Sequence, residues 1–254
     1  MAIDLISVGS SDNDGTGDTL RAGLTKANGM FTELYGATTQ TVNFVATDTA
    51  TEIQALIDAV PRYIPFGATV TFQFADGTYT LDTSLTWSGF YGGGTLHIYG
   101  NSANNTLSTT KSVDLDFNND TKGIEINQCT CLWDVRYMQI EVDDGNRGVA
   151  VQQSGVNGVV QALYIILGGK SAGSSIGVSV NKSNTIIQDN YFNNPYYGIL
   201  CTNTSHVFSY NNDDTGVAPT YGIKCDNAGT VGKRGTQPAG VTSAETAVYG
   251  GVIR

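Results

Sequence analysis

One short phrase returns five times between residues 123 and 226: Gly123-Ile-Glu-Ile, Gly148-Val-Ala-Val, Gly177-Val-Ser-Val, Gly198-Ile-Leu-Cys and Gly222-Ile-Lys-Cys. Successive glycines lie 25, 29, 21 and 24 residues apart. A phrase repeated at intervals in the twenties marks a solenoid, in which each turn buries its apolar face against the next. The residues one and three past the glycine are apolar and the one between is free, the period of a strand with one face inside. Positions 124/126, 149/151, 178/180, 199/201 and 223/225 are therefore expected to point inward and stack. The glycine marks a bend where no side chain fits or where positive φ is needed.

A second apolar pair follows nine and ten residues past the glycine: Leu132-Trp133, Ile186-Ile187 and Val207-Phe208. In the second turn the pair is Val159-Val160, two residues late, and the extra residues are assigned to Gly155–Gly158. Tyr137, Tyr164 and Tyr191 then fall in step. Each turn holds two or three short strands separated by Asn, Asp, Ser and Gly. A leucine-rich horseshoe is the rival, but the turns lack its leucine framework and its helical half. The fold expected is mainly β, a right-handed parallel β-helix.

The chain has 254 residues, 31 of them glycine, and only 14% are charged, which suits an all-β chain with many tight turns. A net charge of -10 argues against nucleic acid as partner, since phosphate binding needs a basic surface, and against an anionic membrane. No apolar run reaches the roughly 20 residues that span a bilayer, so membrane insertion is not expected. Met1-Ala-Ile-Asp lacks the basic and apolar regions of a signal peptide, so export by the Sec route is not expected either. Cys129, Cys131, Cys201 and Cys225 match no zinc spacing, and no metal or cofactor is expected. Cys201 and Cys225 occupy one inward slot of consecutive turns and read as a stacked pair of core thiols, with a disulfide as the lesser alternative.

The glycine-rich loop Asp12-Asn-Asp-Gly-Thr-Gly-Asp18 precedes a helical pattern from Asp18 to Tyr35. Its apolar positions, Leu20, Leu24, Ala27, Phe31 and Leu34, step by four, three, four and three, which is a heptad seam. A helix this short is marginal alone in water, and Gly23 and Gly29 weaken it further. It needs a partner, either the rest of the same chain or, as favoured here, two further copies in a parallel trimeric bundle.

The stretch Asn13 to Tyr35 resembles a short N-terminal motif of bacteriophage tail-fibre, tailspike and baseplate-associated proteins. That motif is a glycine-rich loop leading into Leu-Arg-x-Ala-Phe-x-Lys-x-Asn-x-Asn-Phe-x-Glu-Leu-Tyr. Leu20, Arg21, Lys26, Asn28, Phe31, Glu33, Leu34 and Tyr35 match in order; Gly23, Leu24 and Met30 depart from it. The resemblance implies a homotrimeric virion protein, assembled in the host cytoplasm, that docks on other tail or baseplate proteins. Asp14, Gly15, Gly17, Asp18, Arg21, Lys26, Asn28, Glu33 and Tyr35 would carry the attachment, and Leu20, Leu24, Ala27, Phe31 and Leu34 the trimer interface.

A Thr-rich connector over 36–50 leads to an amphipathic helix over 51–60, with Ile53, Leu56, Ile57 and Val60 on one face and Pro61 at its end. Strands are expected over 68–74 and 77–81, and Gly92-Gly-Gly94 is read as a turn. Helix, strand, Ala75-Asp-Gly-Thr-Tyr79, strand resembles the opening of pectate-lyase-like β-helices, phage tailspikes included, where the helix plugs the end of the solenoid. The division expected is 1–40 for attachment and trimerisation, 41–228 for the β-helix with seven or eight coils, and 229–254 for a C-terminal tail.

Chemistry is sought first in carboxylate pairs, because some β-helix tailspikes hydrolyse polysaccharide with an acid and a base on one flank. Glu141 with Asp143 or Asp144, and Asp114 with Asp116, are spaced to share a strand face, as solvated edges also are. No catalytic residue is assigned beyond these weak candidates. His97 and His206 have no nearby Ser or Cys to complete a triad and read as satisfied or solvent-facing. Tyr191-Phe192 with Tyr196-Tyr197, flanked by asparagines such as Asn194, form an aromatic cluster suited to stacking on sugar rings, although the tyrosine ladder of the repeat already explains Tyr191 as packing. The function expected is a tail spike or fibre that contributes to host-surface polysaccharide recognition. A polysaccharide depolymerase and a non-enzymatic adaptor for other tail proteins are the alternatives.

Overall fold

The computed structural model describes residues 39–254, other than 106, 107, 119–121, 144, 156, 157, 170–172 and 215. The N-terminal helix, its seam and the attachment motif lie outside the described residues. What is described is mainly β, a parallel solenoid of about seven turns. Three sheets form its walls. The first has nine strands, from Gln40–Phe44 to Val252–Ile253; the second has six, from Gly77–Leu81 to Asp213–Asp214; the third has seven, from Leu85–Ser88 to Ser243–Ala247. The chain visits them in the order first, second, third in each turn until the last, where Thr230–Arg234 is followed by Ser243–Ala247 of the third sheet with no described strand of the second between them.

The five repeated phrases are consecutive strands of the third sheet, and their inward positions stack as the period of two requires. One row runs Trp87, Ile126, Val151, Val180, Cys201, Cys225; the other runs Leu85, Ile124, Val149, Val178, Ile199, Ile223. All twelve side chains are fully buried, and each contributes about 1.5–3 kcal/mol of apolar burial when it is a large aliphatic or aromatic. The four cysteines are buried free thiols. Removal from water pushes the Cys129 thiol up to about 11, so it is an inert core side chain.

Each corner of the coil is built by its own ladder. Between the second and third sheets stand Gly123, Gly148, Gly177, Gly198 and Gly222, none of which has positive φ. A Cβ on Gly177 would lie 2.6 Å from the carbonyl oxygen of Gly198 and 2.5 Å from the Phe192 ring, and Gly198 meets the Gly222 carbonyl at 2.7 Å. These positions exclude a side chain by crowding. Between the third and first sheets, left-handed residues Gln128, Gln153 and Lys182 turn the chain, and the next residue points inward. There the Cys129 amide donates to Ser154 Oγ (3.2 Å), Ser154 to Ser183 (2.9 Å) and Ser183 to Ser205 (3.3 Å). Between the first and second sheets, Ala162, Asp189 and Asn211 take the left-handed conformation. The Leu163 amide donates to Asn190 Oδ1 (3.0 Å), and the Asn190 amide and Nδ2 donate to Asn212 Oδ1 (3.1 and 2.9 Å). Buried backbone donors need acceptors, and the two polar ladders supply them.

The first sheet corrects the register read from the second apolar pair. Asp134-Val135, not Leu132-Trp133, lies beside Val159-Val160, and Ile186 faces Phe208 while Val207 faces Thr185. The first two coils are therefore equal in this stretch, and the extra residues of the second coil lie between Leu167 and Ile176. Trp133 points inward opposite Gly158, where any Cβ would strike the indole. Tyr164 pairs with Tyr191, but Gln139 takes the place foreseen for Tyr137, which sits in the corner at φ 69°.

The helix Ala50–Ala59 is started by a reciprocal cap between Thr49 and Glu52. It buries Ala50, Ile53 and Ile57, while Leu56, expected on that face, is 42% exposed. Gln54 continues the edge of the third sheet: its Nε2 donates to the Thr86 carbonyl (3.0 Å) and its Oε1 accepts from the Thr86 amide (2.9 Å). Gly92 is not in a free turn, since Tyr91–Gly92 pairs in parallel with Tyr63–Ile64. Pairing also continues past residue 228, where Thr230–Arg234, Ser243–Ala247 and Val252–Ile253 each extend a wall.

Candidate functional site

The three outer walls carry different chemistry. On the second sheet, Asp114 and Asp116 share the outward face of one strand, and Glu141 on the next strand lies directly beside Asp116. Adjacent strands are about 4.8 Å apart, closer than the spacing along one strand, so the structure assembles a carboxylate group that the local pairs did not reveal. Partial burial raises the Glu141 pKa, and the neighbouring Asp116, Asp114 and Asp143 raise it further. Burial and then Asp116 also raise Asp114, against a hydrogen bond from Gln139. Like charges sharing a site keep one carboxyl protonated to higher pH. Asp144 lies outside the described residues.

On the third sheet, Tyr196, Tyr197 and Tyr221 form a compact cluster outside the core. The Tyr196 and Tyr197 rings meet edge to face at 4.7 Å, and Tyr196 and Tyr221 at 5.4 Å. Tyr197 is only 8% exposed and packs with Ile176 and Leu200. Lys224 closes it, 4.8 Å from the Tyr197 ring and 3.3 Å from its hydroxyl. Tyr196 and Tyr221 keep partly open rings. Asn194 does not join them: at φ 63° it turns the chain, and its side-chain Nδ2 donates to the Leu167 carbonyl.

On the first sheet, His97 Nδ1 lies 2.5 Å from Asp134 Oδ1 on the neighbouring strand, while Asp134 Oδ2 accepts from the Tyr99 hydroxyl (3.0 Å) and pairs with Arg136 (2.8 Å). The buried carboxylate is fully engaged, and none of these partners is a Ser or Cys nucleophile. Further along the same wall, outward Val159, Ile186 and Phe208 line up across three strands. Asn184 and His206 run beside them as a polar edge, and Gln188 and Tyr210 as the other. Asn184, Thr185, Ile186, His206, Val207 and Phe208 line a shallow groove of about 310 Å³ that contains no carboxylate, Lys or Arg. Phe208 is 45% exposed there, and its lateral neighbour is Gly232, which leaves that flank of the ring without a side chain.

No protein family, curated protein or solved structure matches this chain.

An open groove with an apolar floor, an exposed aromatic ring and amide, imidazole and hydroxyl edges has the chemistry to hold a neutral polyhydroxylated ligand. Rings take its C–H faces and the edges take its hydroxyls. Among the described residues no group of three or more His, Cys, Asp or Glu is placed to hold a metal ion, and no helix is long and apolar enough to cross a membrane. The groove residues escaped the sequence reading because they are neighbours only in register. The signal available was the outward parity of Ile186 and Phe208, which the one-residue slip of the second apolar pair concealed.

Proposed function

We propose that the protein is a structural virion component, a homotrimeric phage tail spike or fibre whose N-terminal segment docks on other tail or baseplate proteins. Its right-handed solenoid contributes to recognition of host-surface polysaccharide. The observation that carries this reading is a succession: the motif-like stretch Asn13 to Tyr35, with its heptad seam, runs almost directly into a closed parallel solenoid that starts at Gln40. A rigid rod held by three strands of seam presents three copies of any weak site, so avidity takes the place of single-site affinity. The neutral groove over Ile186 and Phe208 supports glycan contact, with the partly open rings of Tyr196 and Tyr221 as a second aromatic surface.

The test is binding of purified full-length protein to capsule and lipopolysaccharide fragments by titration calorimetry or glycan array. Phe208→Ala is expected to weaken binding by about twofold to tenfold, the range of a lost aromatic contact of roughly 0.5–1.5 kcal/mol. Absence of any glycan binding, together with co-purification of a larger fibre protein, supports the adaptor reading instead. The crowded carboxylates Asp114, Asp116 and Glu141 favour one further reading, a depolymerase acting by acid and base. Release of reducing ends that disappears in Glu141→Gln would establish it.

A further inference from the structure

The groove over Ile186 and Phe208 is free of charge, but the wall just beyond it is not. In a chain of net charge -10, residues 229–254 carry Lys233, Arg234 and Arg254 against a single acid, Glu245. Lys233 is paired with Glu245. Arg234 and Arg254 are both exposed, and neither enters an ion pair among the described residues. The positive charge left over is therefore theirs, and it lies on the first sheet at the flank of the groove.

Register gathers both arginines around one gap. Gly232 is the lateral neighbour of Phe208, and a Cβ added to it would find only the Phe208 ring within 4 Å, at 3.5 Å. The space over Gly232 is thus open, with one aromatic wall. Two residues on, Arg234 is the lateral neighbour of Tyr210 and ends the polar edge that runs through Gln188 and Tyr210. On the far side, the Arg254 amide donates to the Val231 carbonyl and the Arg254 carbonyl accepts from the Lys233 amide, both at 2.9 Å. In a parallel ladder that pattern sets Arg254 directly beside Gly232. Strands lie about 4.8 Å apart and same-face residues about 7 Å apart along a strand, so the backbones of Phe208, Arg234 and Arg254 surround the gap within about 10 Å of one another.

A guanidinium group is planar, always charged and matched to an oxyanion by two parallel N–H donors. A sugar ring lying on Phe208 would carry its substituents toward Gly232, where there is room for them and where both guanidinium groups are in reach. We propose that the groove reads an acidic glycan: a pyranose seated on Phe208 places a carboxylate or phosphate group over Gly232, and Arg234 and Arg254 bind it. The inference rests on the glycan reading of the groove and adds the charge of the unit recognised.

The experiment puts full-length protein on an array of bacterial surface oligosaccharides. Each uronate-containing member is matched by its carboxyl-reduced form and each phosphorylated member by its dephosphorylated form, with the pairs that bind then titrated by calorimetry. The acidic member of a pair is expected to bind about threefold to thirtyfold more tightly than its neutral counterpart, the range of two exposed ion pairs. Which kind of pair shows the preference tells carboxylate from phosphate. The ratio is expected to fall to about one in Arg234→Gln/Arg254→Gln and below one in Gly232→Asp, which puts a like charge in the gap, whereas Phe208→Ala weakens both members and keeps the ratio. Equal binding of acidic and neutral members, or a preference that persists in both the double variant and Gly232→Asp, overturns the arginine site and leaves the glycan reading standing. Binding of no member at all overturns the glycan reading and this inference with it.

Discussion

Gly177 is a glycine for a steric reason. The carbonyl of Gly198 and the ring of Phe192 already occupy the space a methyl group would take, and packed cores do not give way cheaply. Gly177→Ala is therefore expected to cost about 1–3 kcal/mol, read as a lower urea midpoint at unchanged slope. The five corner glycines were plain in the sequence as a repeat, but which of two causes fixed them was not, because φ and crowding leave the same letter. The same holds for Leu132 and Trp133: both are apolar, and only pairing with Gly158 decides that the indole goes in. Glu141 shows the complementary limit. Its nearest carboxylate, Asp116, is 25 positions earlier in the chain, so a scan for local acidic pairs passes it by. Folding raises the Glu141 pKa, so the folded state holds the proton more tightly than the unfolded one. That contribution favours folding at acid pH and is lost as pH rises through the unfolded value of about 4.3 toward the folded one. Glu141→Gln should accordingly raise the melting temperature at pH 7 and leave it unchanged at pH 3, in parallel thermal scans.

The helix Ala50–Ala59 was readable because its ends are written locally: Thr49 and Glu52 cap the start and Pro61 forbids continuation. Its role at the sheet edge was not, since Gln54 acts by placing a side-chain amide where a neighbouring strand's peptide would stand. Gln54→Ala leaves both polar groups of Thr86 without that partner, which is expected to destabilise the fold by about 1–3 kcal/mol. Hydrogen exchange should report it as lost protection at the Thr86 amide, with smaller changes at strands remote from the edge. The serine and asparagine ladders make the same point. In the sequence Ser154, Ser183, Asn190 and Asn212 look like solvent-loving turn residues, yet each is buried. The coil bends sharply there, and its amide groups have no strand to bond.

Because every coil touches only the coils beside it, stability is set coil by coil. The first coil carries the helix and Gln54. The last described coil lacks a strand in the second sheet and exposes Val241, Tyr249 and Val252. Native-state hydrogen exchange should thus show protection that is highest over 124–202 and lowest over 243–253, with opening that proceeds from the C-terminal side. The glycine corner has a mechanical consequence. From Gly123 to Gly198 the place a Cβ would take at each corner glycine lies against the carbonyl oxygen of the next, with no intervening methylene to rotate aside. A thrust delivered along the axis is passed from peptide to peptide down that edge, so the column resists shortening there because of atoms its residues do not have.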